Sequence, residues 1–434
     1  MKKVLIITYY WPPSGGGGVQ RWLKMSAYLK SNGWEPIIYT PENPAFDVKD
    51  NSLLKDVPQD ITVLKTKIFE PIEVFQKAFK LVGKPAPKQK DLLSDRNSSL
   101  FQRASTYVRG NYFIPDPRVT WVRPSFQFLK KYLKENKIDA VISTGPPHSM
   151  HLIAQKIKQA FPEIKWVADF RDPWSEWDLL DMLKTKTRAR EYHKRLERAV
   201  LEQADLTVSI SPYHVDRLIH LGAKRCELVN NGYDARDFAN ASKKHTEKFI
   251  IRHLGSIDDL RDPRPAMNAL KKIISENKMD IDKISVEFIG PVNNAFSEFV
   301  NEDKDLKQIT SFYPAVPHSE VVGLYTSCTL LLLILAHTDI AAGNMPGKMY
   351  EYMASGTPIL GIGPEDGDAA VLIHQTHSGQ IIDRNHSDKM GELIVTHYND
   401  WKNGKMIITE KAPDYSREAL TKKFCQLLNG LFDS

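Results

Sequence analysis

The sequence predicts an α/β protein made of two doubly wound parallel-sheet domains. Three observations carry that reading: short continuous apolar runs alternate with longer helical patterns from end to end, the chain is 434 residues long, and the alternation breaks and restarts once near the middle. Continuous apolar strands suit a parallel sheet covered on both faces. At about 100 to 200 residues per domain, two domains fit the length.

The strand candidates, in order, are 4–8, 36–39, 140–143, 166–169, 206–210, 249–254, 286–289, 330–335 and 358–362. Between 230 and 248 the pattern dissolves into Asn-Asn-Gly-Tyr-Asp and a polar stretch, and a new strand with its own glycine turn, Leu254-Gly255, then restarts it. This places one domain at 1–230 and a second at 231–411. The segment 412–434 closes the chain with a helix, because Leu420, Phe424, Leu427 and Leu428 recur at helical spacing. Two sheets of this class bind ligands beyond the carboxyl ends of their strands, so the expected site is a central cleft between two facing domains.

Composition narrows the function classes. With 42% hydrophobic and 26% charged residues and no low-complexity tract, the chain reads as folded and soluble. A net charge of +6 on this length favours anionic ligands or an anionic membrane face and gives no case for nucleic acid. Cys226, Cys328 and Cys425 form no CxxC pair, which argues against a disulfide framework and a structural zinc site and fits a reducing cytoplasm. The apolar run after Lys2-Lys3 is too short for a signal peptide, and the longest elsewhere, 330–336, is far below the roughly 18 residues a span needs.

Three clusters point to a phosphate-bearing ligand. After the first strand, Ser14-Gly15-Gly16-Gly17-Gly18-Val19-Gln20 leads into a helix; Gly16, Gly17 and Gly18 let backbone approach a ligand, and the helix amides attract negative charge. The loop is neither GxGxxG nor a Walker motif, and a plain flexible turn is its other reading. In Gly343-Asn344-Met345-Pro346-Gly347-Lys348-Met349-Tyr350-Glu351, ending at Gly356-Thr357, Pro346 suits a helix start and Gly356 its end. Lys348 and Glu351 then share a face, the cation for a diphosphate and the carboxylate for ribose hydroxyls; an ordinary surface ion pair is the alternative. The third cluster, Gly255 to Pro265, sets Arg261 and Arg264 at a helix mouth, where they either grip phosphate or are merely solvated.

In the first domain, Thr144-Gly145-Pro146-Pro147-His148 and Asp169-Phe170-Arg171-Asp172-Pro173-Trp174 follow adjacent strands. Their polar groups are expected to face the cleft, the alternative being structural turns. A further stretch, 71–84, sets Ile72, Phe75, Phe79 and Val82 on one side with Lys77, Lys80 and Lys84 elsewhere; it reads equally as an interfacial basic helix or a core-facing one.

With these residues in hand, the chain resembles retaining glycosyltransferases of the GT-B fold, in particular family 4 of bacterial polysaccharide and lipopolysaccharide enzymes. The resemblance rests on Tyr9-Tyr10-Trp11-Pro12-Pro13 with the glycine loop, on 168–174, on Asn231-Gly232-Tyr233-Asp234 and on 348–358. It implies an N-terminal acceptor-binding domain rejoined by the last helix and a C-terminal nucleotide-sugar-binding domain. It also implies sugar transfer with retention, from a nucleotide-diphosphate sugar to a lipid-linked saccharide acceptor, in cell-surface polysaccharide synthesis at the inner face of the cytoplasmic membrane. No metal or other cofactor is implied.

Carried over residue by residue, the resemblance puts Lys348, Arg261, Asp169 and His148 at the reaction centre, with Asp169 standing where a histidine is usual. It puts Arg171, Asp172 and Trp174 on the acceptor side. It assigns the donor to Gly16, Gly17, Gly18, Gly255, Gly290, Val316, Gly343, Asn344, Met345, Glu351 and Thr357; the arginine that often follows the family's glycine is Ser256 here, so Arg264 is expected to supply that part of the phosphate grip. The first of the family's two glutamates is Gly343 here, so backbone amides of 343–345 are expected to replace it. Two other readings stay open: an epimerase of the same fold, and a non-catalytic nucleotide-sugar-binding protein.

Overall fold

The computed structural model describes residues 1–46, 48–71 and 100–433; the basic segment 71–84 lies, beyond Pro71, outside the described residues. The chain divides into two compact units, 1–230 with 420–434 and 231–419.

The first unit holds a seven-stranded sheet among the described residues. Its strands are β1 (Lys2–Ile7), β2 (Trp34–Pro41), β3 (Thr62–Thr66), β4 (Ala140–Gly145), β5 (Lys165–Phe170), β6 (Leu206–Ser209) and β7 (Cys226–Leu228). The order is β3-β2-β1-β4-β5-β6-β7, and every pairing is parallel. Successive residues of β1 feed opposite faces: Leu5 and Ile7 enter one core, Val4 and Ile6 the other. That two-sided burial is why the run is continuously apolar rather than alternating. The closing helix, Arg417–Asn429, packs Phe424 edge-on against Trp22 at 5.4 Å in this same core. The chain changes unit at Leu420, inside that helix, and not at 412: the amide of Arg417 still bonds the Tyr233 carbonyl of the second unit at 2.7 Å.

The second unit repeats the plan with β8 (Phe249–Leu254), β9 (Ile284–Ile289), β10 (Thr310–Tyr313), β11 (Leu330–Ile334), β12 (Ile359–Ile362) and β13 (Gly379–Ile382). Its order is β10-β9-β8-β11-β12-β13, again all parallel. In each unit the strand order reverses beside the first strand, β1 or β8, and the crevice at such a reversal is where open α/β sheets bind ligands. β8 runs straight into Gly255, and β1 leads through Thr8 to Ser14 into the glycine loop Gly15 to Gly18. No helix of the described residues is long and apolar enough to cross a membrane.

Candidate functional site

In the second unit, the helix Gly347–Ser355 begins beside the carboxyl end of β8. Pro346 occupies its N-cap, one position ahead of the first turn, and Gly356 ends it at φ 70°, a left-handed conformation that glycine adopts without strain. Residues 348 and 352, one turn apart, clamp the end of β8: Lys348 Nζ donates to the Leu254 carbonyl at 2.8 Å, and the Leu254 amide donates to the Tyr352 hydroxyl at 3.1 Å. Glu351, on the same face, accepts a hydrogen bond from the Tyr325 hydroxyl at 2.8 Å. Lys348 and Glu351 are therefore each oriented by a different group and are not tied up as a surface ion pair.

Burial and the Arg261 charge beside it pull the Lys348 ammonium down from 10.5 to about 8, against the carboxylates of Glu351 and Asp258. A partly desolvated cation is costly until an anion meets it, which is the electrostatic signature of a phosphate site. Arg261 sits on the loop after β8, its guanidinium bonded to Asp258 at 2.7 Å. His253 donates from Nδ1 to the Leu332 carbonyl at 2.9 Å, so its buried Nε2 is a bare acceptor with no partner. A Cβ on Gly255 would overlap Lys348 Nζ and lie 3.4 Å from His253 Nε2, so the glycine leaves the space that the ammonium fills. Gly290, at the end of β9, backs onto it: a Cβ there would lie 2.5 Å from the Gly255 carbonyl oxygen.

Other residues assigned to the donor are placed differently. Arg264 opens its helix but its Nε is held by Asp262 at 2.8 Å, and Arg384 shares that carboxylate. The amides of Gly343 and Asn344 donate to Ile340 and Ala341 within the turn Ala341–Gly343, so they cannot stand in for the missing glutamate. Met345 is a core side chain, 3% exposed, and Val316 packs half-buried on the same core. Thr357 is fully buried at the other end of the helix, at the amino end of β12, bonding the Tyr325 carbonyl at 2.7 Å. A helix that starts at the carboxyl end of a parallel sheet must finish at its amino end, which removes Thr357 from the donor.

In the first unit, Gly16 caps the helix Gly17–Leu29 at φ 82°, and a Cβ on Gly16 or Gly17 would meet nothing within 4 Å, whereas Gly18 packs on the Tyr10 ring. The loop thus offers open backbone at a helix start. Asp169 does not face outward. It is wholly buried, paired with Arg21 at 3.0 Å, and accepts from Trp22 Nε1 at 2.7 Å and the Thr144 hydroxyl at 2.8 Å. Arg171 ties loops together, donating to the Gly18 carbonyl at 3.0 Å and to the Pro146 carbonyl. Trp174 is buried, with Nε1 on His193 Nδ1 at 3.0 Å; Asp172 is half-buried.

His148 is buried too, stacked on Trp174 at 4.9 Å between ring centres. Its Nε2 faces the Pro173 carbonyl at 3.2 Å and so carries the proton, leaving Nδ1 a bare acceptor. His151 lies beside it: its Nδ1 shares a hydrogen bond with Ser143 Oγ at 2.8 Å, the same hydroxyl accepts from Trp166 Nε1 at 2.9 Å, and His151 Nε2 is buried without a hydrogen-bond partner. Both free ring atoms converge on Gly145, whose Cβ would lie 2.6 Å from one and 2.8 Å from the other. Burial holds both rings neutral, His151 down at about 3.

The sequence reading missed His151, Tyr325, His253 and Glu197. Glu197 lies with Asp172, His214 and Arg217 around a shallow recess at the ends of β5 and β6. One signal was available: Glu197 falls in step with His193, Val200 and Leu201 on the buried face of the helix Thr187–Gln203. Burial pushes its carboxyl up from 4.5 to about 7, against the amide of Ser175 that it accepts at 3.1 Å. A raised folded-state pKa means stability that is complete below 4.5 and is lost as pH rises through 7. Glu197→Gln is therefore expected to match the wild type in urea denaturation at pH 5 and to exceed it progressively by pH 8.5. A difference independent of pH would show that the carboxyl is already ionised in the fold.

The profile of Glycosyltransferase Family 4 matches residues 86–237. No curated protein matches the chain. Among solved structures, it is similar to sucrose-phosphate synthase from Thermosynechococcus elongatus, with TM-score 0.58, 13% identity and 100% of both chains covered. It is also similar to WaaG, a glycosyltransferase involved in lipopolysaccharide biosynthesis, with TM-score 0.57, 14% identity and coverage of 98% of this chain and 100% of that one. A putative UDP-N-acetylglucosamine 2-epimerase from Listeria monocytogenes shares the fold at TM-score 0.55 and 11% identity, with 100% and 97% covered. The chain thus has the two-unit parallel-sheet fold of GT-B glycosyltransferases and carries, over residues 86–237, the sequence pattern of Glycosyltransferase Family 4.

Proposed function

We propose that the chain is a glycosyltransferase that moves a sugar from a nucleotide-diphosphate sugar to a saccharide acceptor, with retention. The observation that carries this reading is the pairing of a desolvated Lys348 ammonium with an oriented Glu351 carboxylate at the carboxyl end of β8. Lys348 and Arg261 stabilise charge that grows on the departing diphosphate, helped by the helix amides, in a reaction that calls on no metal ion. The departing phosphate takes the acceptor proton on the face it leaves, so no side-chain base is required. Glu351 holds the ribose hydroxyls. The acceptor is lipid-linked and the pathway that of a cell-surface polysaccharide or lipopolysaccharide, at the inner face of the cytoplasmic membrane; the family match and the net charge of +6 favour this.

A thermal-shift panel of UDP-, GDP-, ADP- and dTDP-sugars, followed by product analysis with the stabilising donor, tests the proposal. One nucleotide should raise the melting temperature, and a glycosylated acceptor should form. Free nucleotide with an epimerised sugar and no acceptor requirement would establish the epimerase reading instead, which the Listeria likeness favours. Glu351→Ala should weaken nucleotide binding by roughly ten- to a hundredfold, the worth of about 1.5 to 3 kcal/mol for hydrogen bonds to a charged group. Unchanged affinity in a calorimetric titration would remove Glu351 from the ribose.

A further inference from the structure

The second unit has a basic recess at the opposite end of its sheet from Lys348. It is shallow and open to solvent, where the chain enters β8 and β11, and Lys243, Lys244, His245, His397 and Lys405 line it. The strand β8 separates it from Gly255; six residues of strand span roughly 17 Å. No aspartate or glutamate is among the lining residues; the nearest ion pair is that of Lys405 with Asp400, at 3.3 Å.

Lys243 is the central group. It is half-buried, and its ammonium donates to the Cys328 carbonyl at 2.6 Å and to the Thr357 hydroxyl at 2.7 Å, both neutral; among the described residues it pairs with no carboxylate. Burial accordingly pulls it down from 10.5 to about 8. His397 presents a buried Nδ1 with no hydrogen-bond partner. A cation taken out of water without a counter-charge destabilises the fold unless an anion supplies one. Lys244 and Lys405, both exposed, add two ammonium groups at the rim, that of Lys405 held by Asp400. Trp401 and Met406 give the recess an apolar wall, which suits an organic body behind the charge.

We propose that this recess is a second anion site, which binds a phosphate-bearing small molecule independently of the Lys348 site. Separate ammonium donors around one opening favour a tetrahedral dianion over a planar carboxylate, because its oxygens can meet Lys243 and a rim lysine at once, with the neutral His397 ring beside them.

Equilibrium dialysis of the full chain against radiolabelled inorganic phosphate and glycerol phosphate, at about 0.1 M salt to suppress diffuse attraction, tests this. Binding should survive in Lys348→Ala within about twofold and, in that Lys348→Ala background, fall at least about tenfold when Lys244→Gln and Lys405→Gln are added, as expected for lost charge-assisted bonds. Lys243→Met should abolish it, provided that circular dichroism shows a folded chain; the rim variant carries the test if it does not. Tighter binding of glycerol phosphate than of phosphate would identify an organic phosphate as the occupant, and equal binding the free ion. Loss in Lys348→Ala alone, retention in the rim variant, or no binding at millimolar phosphate would each overturn the proposal. Because the readout is binding in a Lys348 variant, its failure is distinct from failure of the sugar-transfer reading.

Discussion

Asp169→Ala is expected to lower the unfolding free energy by about 3 to 5 kcal/mol, the usual cost of removing one partner from a buried ion pair. The guanidinium of Arg21 is 1% exposed, and without Asp169 it keeps only the carbonyls of Val229 and Asn230, at 3.0 and 2.8 Å. Trp22 Nε1 and the Thr144 hydroxyl lose their acceptor in the same step. Asp169 therefore fastens β4, β5, the glycine-loop helix and the end of the first unit to one another. Urea denaturation measures the loss. An alanine variant of wild-type stability that had nonetheless lost all transferase activity would return Asp169 to the reaction centre.

Lys348→Ala is expected to reduce turnover by about a hundred- to a thousandfold, the scale seen when one preorganised charge-stabilising donor is removed. Acceptor KM should move by no more than about twofold, because Lys348 is assigned to the donor's diphosphate and not to the acceptor. Equal activity in the variant would refute the assignment. The wild type adds a pH test. Free Lys348 titrates near 8, and a bound diphosphate must raise that value, so donor binding takes up a proton above pH 8. Donor affinity should be flat below 8 and decline above it, and the decline should vanish in Lys348→Ala. Calorimetry in buffers of differing ionisation enthalpy would count the proton directly.

The nine strands legible in the sequence are all present, and what went unread has a common cause. β3, β7, β10 and β13 are the outermost strands of the two sheets. With one neighbour each and partly open faces, they lack a continuous apolar run; Thr62–Thr66 has no buried residue at all. The site divides in the same way. Lys348 and Glu351 were legible because helical spacing is local, and Gly255 because it ends a strand. Tyr325, which orients Glu351 across 26 positions of sequence, left no local trace. Asp169 and His148 were assigned outward because polar residues at strand ends usually point to ligand; long-range partners, Arg21 and Trp174, turned them inward.

The bond from Lys348 to the Leu254 carbonyl bears on how product leaves. An ammonium with nothing to fall back on would cling to a spent diphosphate, since parting would strand it in a poorly hydrated place. In the proposed reaction the strand end is a resting berth, so the cation would swap one oxygen for another in each direction of the cycle. That exchange would lessen the ground-state grip on the nucleotide and favour release and reloading.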